Sequence, residues 1–312
     1  MKKLLVLLGT VLLFSVTAGF QTISEKTEKP FHPAELGDRF LKGDYEAVYS
    51  QTSSEFKAEV PMKDFIQLAD EFNKGVTGYK LTSHLTLNRE LKQYTWTDQT
   101  GTKGISVIVQ KDYTISGLNL IPLKQHESDK AFTKNKYTMP FKGRWLVYWG
   151  GTNVLLNYHY PYESQRYAYD FLEMRRGQTY KGDPAENENY FAFGKPVTAP
   201  LEGKVAAVAD GIKDNVPGEL NAAQPAGNHV IIQHKNGEYS ILAHFKKNSI
   251  KVRKGDTVRT GQILGECGNS GNSTEAHIHF QVSTTPDLMK GKSVRIRFAD
   301  GNEPVRGEFV KK

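Results

Sequence analysis

The segment Glu275-Ala276-His277-Ile278-His279-Phe280-Gln281-Val282 holds the residues best suited to chemistry. A β-strand turns alternate side chains to one face, so His277 and His279 aim at the same spot. Ile278, Phe280 and Val282 take the opposite face and read as core, which makes this a half-buried strand with a polar histidine face. Two imidazoles delivered to one place suit a metal or a proton transfer. Upstream, Ser240-Ile241-Leu242-Ala243-His244-Phe245 puts a third histidine at the end of an apolar strand. Tyr167-Ala168-Tyr169-Asp170-Phe171 carries a single acid in an aromatic-rich strand. A carboxylate among Tyr167, Tyr169 and Phe171 needs a partner if it is buried, and a zinc ion would supply one.

With His and Asp early, a lone His in the middle and His-x-His late, residues 140 to 285 resemble the LytM/lysostaphin-like zinc endopeptidases of bacterial cell walls. A catalytic zinc takes three protein ligands and keeps one position for water, whose pKa falls to about 7. The resemblance implies that Asp170 and His279 are ligands. It also implies that His244 and His277 are the non-ligand histidines that position or deprotonate the water and stabilise the developing oxyanion. The family places its first histidine four residues before the aspartate. That position is Arg166 here, and a guanidinium stays protonated and cannot bind zinc.

The nearest substitute is His159, in Leu156-Asn157-Tyr158-His159-Tyr160-Pro161, from which the chain can fold back through Pro161 to bring His159 and Asp170 to one metal. This resembles a variant branch in which an Asn-x-His segment precedes a Gln-Arg-Tyr-Ala-x-Asp strand. The expected metal set is His159, Asp170 and His279, with zinc as cofactor and a peptide of peptidoglycan, stem or cross-bridge, as substrate. The loop Gly268-Asn269-Ser270-Gly271-Asn272-Ser273-Thr274 resembles the family's approach to His-x-His and suits the lining of a peptide groove.

Other histidines have plainer readings. His32, His84 and His126 fit surface or turn positions, His234 a structural pair, and His229 a supporting contact to His244. Cys267, the one cysteine, excludes an intrachain disulfide and sits in a glycine-rich turn region with no sign of a catalytic role. Two rival readings remain: a degenerate relative that binds the wall or a protein without hydrolysing it, and a biotinyl- or lipoyl-like carrier. The second lacks a Met-Lys or Asp-Lys turn at a hairpin tip.

The elements that must position these groups fall into two sets. Residues 1–18, Met-Lys-Lys followed by an apolar run from Leu4 to Phe14 and a small-residue cleavage pattern, have the three parts of a secretory signal peptide. The expected location is secreted or wall-associated, with an uncleaved membrane anchor as the alternative. A polar linker covers residues 19–33. Residues 34–123 read as a small α+β domain. One helix runs through Phe40, Leu41, Tyr45, Val48 and Tyr49, and another through Phe65, Ile66, Leu68, Ala69 and Phe72. Strands follow at residues 79–87, 90–97, 105–110 and 115–122. The domain resembles cystatin-like or ketosteroid-isomerase-type domains found ahead of wall hydrolases, and would bind a wall or protein partner.

A linker at 124–139 precedes a mainly antiparallel all-β domain at 140–312, punctuated by glycines. Asn236-Gly237 predicts a two-residue type I′ hairpin with Lys235 facing Glu238, which places His229 opposite His244 and His234 opposite Tyr239. The 312 residues carry a net charge of +7 and 38% hydrophobic content, ample for real cores. Signal removal deletes Lys2 and Lys3 and leaves a moderately basic chain drawn to an anionic cell wall. Scattered lysines and arginines form no basic run, which argues against nucleic acid.

Overall fold

A computed structural model describes residues 29–312. The expected signal peptide and most of the following linker lie outside the described residues. The chain divides into two compact units. One ends at Thr82 and resumes over Glu90–Pro122, and the other comprises Ser83–Arg89 and Leu123–Lys312.

In the first unit, the expected single helix is two, α1 (Leu36–Leu41) and α2 (Tyr45–Ser50). Gly43 separates them at φ +76°, a left-handed turn that ends α1. A short α3 (Ser54–Glu59) opens where Ser53 Oγ accepts the Phe56 N–H, and α4 (Met62–Asn73) begins after Pro61. Phe65 and Ala69, one turn apart on α4, enter a core with Phe40, Tyr45, Trp96, Ile105 and Val107. The sheet runs in sequence order through β1 (Tyr79–Thr86), β2 (Lys92–Asp98), β3 (Lys103–Val109) and β4 (Ile115–Pro122).

The second unit is built on an eight-stranded sheet. Its members are β5 (Arg144–Trp149), β6 (Tyr169–Leu172), β8 (Gly203–Ala209), β9 (Asn228–Gln233), β10 (Tyr239–Phe245), β11 (Thr257–Val258), β13 (Ile278–Ser283) and β14 (Phe309–Lys311). Their order is β11-β8-β9-β10-β13-β6-β5-β14, with antiparallel ladders, and β7 (Pro196–Thr198) and β12 (Ile263–Glu266) pair separately. The molecule is thus a small helical region followed by mostly antiparallel β-structure. Strand alternation sends Phe171, Val230, Ile232, Leu242, Phe280 and Val282 into one core. Asp170, Ala243, His279 and Gln281 are left on the other face.

The β9–β10 hairpin departs from its sequence reading. Its loop has three residues, Lys235–Gly237, closed by the His234 N–H donating to Glu238 O at 2.8 Å. Tyr239 therefore pairs with Gln233, not His234. Burial decides this: the one-residue shift sets Leu242 opposite Val230 and Ser240 opposite Ile232, so that Val230, Ile232 and Leu242 share the core face. His234 instead meets Ser240 Oγ at 2.8 Å and Glu202 O at 2.8 Å. Beyond Leu242 the ladder shifts again, and Phe245 pairs with Asn228. His229 thus faces a bulge containing Ala243 and His244 rather than His244 in a regular ladder.

Candidate metal centre

The ladder registers bring the site together. His279 on β13 pairs with Asp170 on β6 and with Ala243 on β10, and Asp170 pairs across β5 with Trp149. Trp149, Asp170, His279 and Ala243 thus form a row across four adjacent strands. A bulge at Tyr148 sets this alignment, since the β5–β6 register shifts between Val147 and Trp149.

His244 reaches the same face by a second irregularity. Ile241 and Ala243 line the site-side cavity while Leu242 and Phe245 enter the core, so simple alternation would send His244 inward with Leu242. His244 adopts φ +67°, and this left-handed residue turns its ring to the site. The His244 ring lies 4.6 Å from that of His277 and 5.8 Å from that of His279, centroid to centroid.

His159 comes from a loop held by Asn157, which is fully buried. The Asn157 amide donates to Gly151 O, Arg166 O and Ala168 O, and its Oδ1 accepts the His159 N–H. One side chain thereby folds residues 151–168 back on themselves and delivers His159 to Asp170. Arg166 points elsewhere: its Nε donates to Tyr160 O and its Nη1 to Ser128 Oγ.

His159, Asp170 and His279 are all buried, and each offers a ligand atom within 4.8 Å of the others. His159 Nε2 lies 3.1 Å from Asp170 Oδ2, and His279 Nδ1 lies 2.9 Å from Asp170 Oδ1. His277 Nε2 stands 3.8 Å from Asp170 Oδ1. Two imidazoles and a carboxylate converging at this spacing are a donor set that zinc accepts, so the residues present fit the ion.

Charge follows the geometry. Burial pushes the Asp170 carboxyl up, but the surrounding histidines outweigh it and hold the group well below the usual range. Burial lowers His159 despite its contact with Asp170. In His279 the hydrogen bond and charge of Asp170 overcome burial and raise it. His244 is driven well below the ordinary histidine value by burial and by the neighbouring His277 and His279, so its ring is neutral at pH 7. Its Nδ1 lies 2.8 Å from Ser270 O, and His277 Nδ1 lies 2.9 Å from Glu275 O. A carbonyl only accepts, so each Nδ1 carries the proton, and the lone pair of neutral His244 sits on Nε2.

Cavities flank the centre on both sides. One of about 290 Å³ is walled by Tyr148, Trp149, Tyr158 and Leu220. The other, about 380 Å³, has His229, Ile241, Ala243, Leu288 and Met289 in its lining. His229 Nδ1 binds Gly227 O at 2.9 Å, so the ring supports its own loop rather than His244.

The structure thus brings together His159, Asp170, His244, His277 and His279. Sequence reasoning named Asn157 and Gln165 only as motif positions, with no role, and passed over Gln281. Gln281 was findable, because it stands two residues after His279 on the same strand face. Asn157 and Gln165 act through loop contacts that no period encodes.

Residues 189–295 match the family model Peptidase family M23, a span that includes His244, His277 and His279 and begins after His159 and Asp170. A peptidoglycan DD-endopeptidase, ShyA of Vibrio cholerae, is 36% identical over 87 residues, 28% of this chain and 18% of that protein. An uncharacterized metalloprotease of Buchnera aphidicola is 27% identical over 115 residues, 37% of this chain and 29% of that protein. The chain thus spans less than a third of the length of these relatives. The antimicrobial peptidase lysostaphin from Staphylococcus simulans aligns at 20% identity over 52% of each chain with a TM-score of 0.30. The match lies within the second unit and says what residues 189–295 are similar to.

Proposed function

We propose that the protein is an exported zinc metalloendopeptidase that hydrolyses a peptide bond of peptidoglycan. The convergence of His159 Nε2, the Asp170 carboxylate and His279 Nδ1 within 4.8 Å carries the reading. These three residues would hold the metal. Bound zinc supplies Lewis acidity that makes water a nucleophile near pH 7 and polarises a carbonyl.

The chain's own groups do the rest. His244, neutral and with Nε2 free to accept, takes the proton from the attacking water and returns it to the departing amine. His277, its Nδ1 proton fixed on Glu275 O, presents Nε2 beside Asp170 and assists at the same centre. The aromatic wall of Tyr148, Trp149 and Tyr158 and the opposite wall at His229 and Met289 leave a groove on either side of the scissile bond. That arrangement suits an extended peptide. The first unit would bind a wall or protein partner, and residues 1–18 would direct export.

The test is metal analysis of the purified protein beside His159→Ala and His279→Ala. One zinc per chain, lost in both variants, together with release of peptides from purified peptidoglycan, is the expected result. A zinc-free chain after incubation with zinc sinks the peptidase reading and leaves a wall-binding module.

A further inference from the structure

The two histidines of the metal set present different nitrogens to Asp170, and the structure shows what fixes the difference. His159 directs Nε2 inward, and its Nδ1 lies 2.9 Å from Gln165 Oε1. His279 directs Nδ1 inward, and its Nε2 lies 2.9 Å from Gln281 Oε1. An amide oxygen can only accept, so each outer ring nitrogen carries a proton there; with a metal between the inner nitrogens and the Asp170 carboxylate, each inner one would give its lone pair to the ion.

The Gln281 amide is itself oriented. Gln281 is 3% exposed, and its Nε2 donates to Ser164 O at 2.9 Å, which sets the amide oxygen toward His279. Ser164 adjoins Gln165, so the two-residue segment Ser164-Gln165 indexes both histidines, one through a main-chain carbonyl and one through a side chain. Arg166 follows directly, and its guanidinium ties this segment to Tyr160 O and Ser128 Oγ. The Gln165 N–H donates to Tyr162 O and the Ala168 N–H to Gln165 O, which closes the loop around the segment.

Resting on the zinc reading above, we infer that Gln165 and Gln281 are positioning residues. They select His159 Nε2 and His279 Nδ1 as the ligand atoms, and the Ser164–Arg166 segment is the clamp that sets both. Arg166, standing where a ligand histidine is expected, serves this clamp while His159 takes over the metal. Neither glutamine touches the reacting atoms.

The experiment measures zinc affinity by competition with a chromophoric chelator for the full chain and for Gln165→Met, Gln281→Met and Gln281→Glu. Methionine keeps length and volume but removes the acceptor, and glutamate keeps an acceptor oxygen. Each methionine variant should bind zinc about 10- to 100-fold more weakly, while Gln281→Glu, which keeps the acceptor oxygen but loses the donor to Ser164 O, should weaken binding less than Gln281→Met. Unchanged midpoints of thermal unfolding in the metal-free proteins would separate positioning from misfolding.

Nitrogen-15 NMR of the zinc-loaded parent gives a second readout, with the remaining ring proton on Nδ1 of His159 and on Nε2 of His279. Parental affinity in both methionine variants, or the same ring nitrogen protonated in both histidines, overturns the inference and leaves the zinc site standing. A parent chain that takes up no zinc overturns both.

Discussion

On the proposed reading, His244 separates proton transfer from metal binding. It lies outside the group that converges on Asp170, and its Nδ1 is committed to Ser270 O. His244→Ala should therefore keep one zinc per chain and lose about 10²- to 10⁴-fold in kcat, the usual worth of a general base. Metal analysis beside a peptidoglycan-release assay checks this. Concurrent loss of zinc would instead place His244 among the ligands. His159→Ala is its opposite, since it removes a donor atom.

At the scale of elements, two loops that meet backbone to backbone hold the histidine-bearing face of the sheet. Gly271 has φ +84°, and a Cβ there would lie 2.4 Å from Gly227 N and 2.7 Å from Pro225 O. Neither neighbour is a flexible side-chain end. Gly271→Ala should cost about 1–3 kcal/mol in denaturant unfolding, from a strained backbone and a forced separation of the loops. Because Ser270 O, the next residue back, fixes His244, the same variant should lose activity while retaining zinc. Full activity in Gly271→Ala would show that the loop contact is not what aims His244.

The β2–β3 turn of the first unit makes a separate case. Asp98 accepts the N–H groups of Thr100, Thr102 and Lys103. Burial raises its pKa, but these bonds and that of the Thr100 hydroxyl outweigh burial and hold it below the ordinary aspartate value. A depressed folded pKa contributes stability that is present above the unfolded pKa and lost as pH falls through the folded one. Asp98→Asn should therefore destabilise the first unit by about 1–2 kcal/mol at neutral pH. The gap from the parent should narrow as the solution is acidified below pH about 4. Urea unfolding at neutral and acid pH measures it, and a gap independent of pH would refute the role of the charge.

At the scale of the whole molecule, a buried carboxylate ringed by histidines is a cluster whose stability depends on what it holds. A ligand that binds only the folded state stabilises it by about 2.7 kcal/mol at a free concentration 100 times Kd. Zinc should raise the calorimetric transition of the second unit accordingly, and chelator should reverse the shift. His159→Ala should show no shift. The basic charge of the chain belongs to this scale too, since attraction to the proposed anionic wall would depend on the summed charge rather than on the chemistry at Asp170.

The sequence by itself marked the strand faces and the residues that the structure brings together. Period-two alternation put His277 and His279 on one side of Ile278 and Phe280, the lone acid among aromatics marked Asp170, and the missing histidine at 166 directed attention to His159. The strands of the first unit and the helix after Pro61 were also legible, because apolar spacing and turn residues mark their limits, whereas the helix read through Phe40 and Tyr49 is two, broken at Gly43. Tertiary structure alone decided three things. The hairpin register follows from which of Val230, Ile231 and Ile232 joins Leu242 in the core, and the Asn-Gly turn signal is too weak to override that burial. The aim of His244 depends on a left-handed residue in a bulge, which alternation along the strand does not anticipate. The tautomers of His159 and His279 depend on Gln165 and Gln281, and the Gln281 amide is set by Ser164, in a loop far away in the chain. Local sequence encodes the direction of a side chain; only packing across the sheet fixes which atom of it faces the metal site.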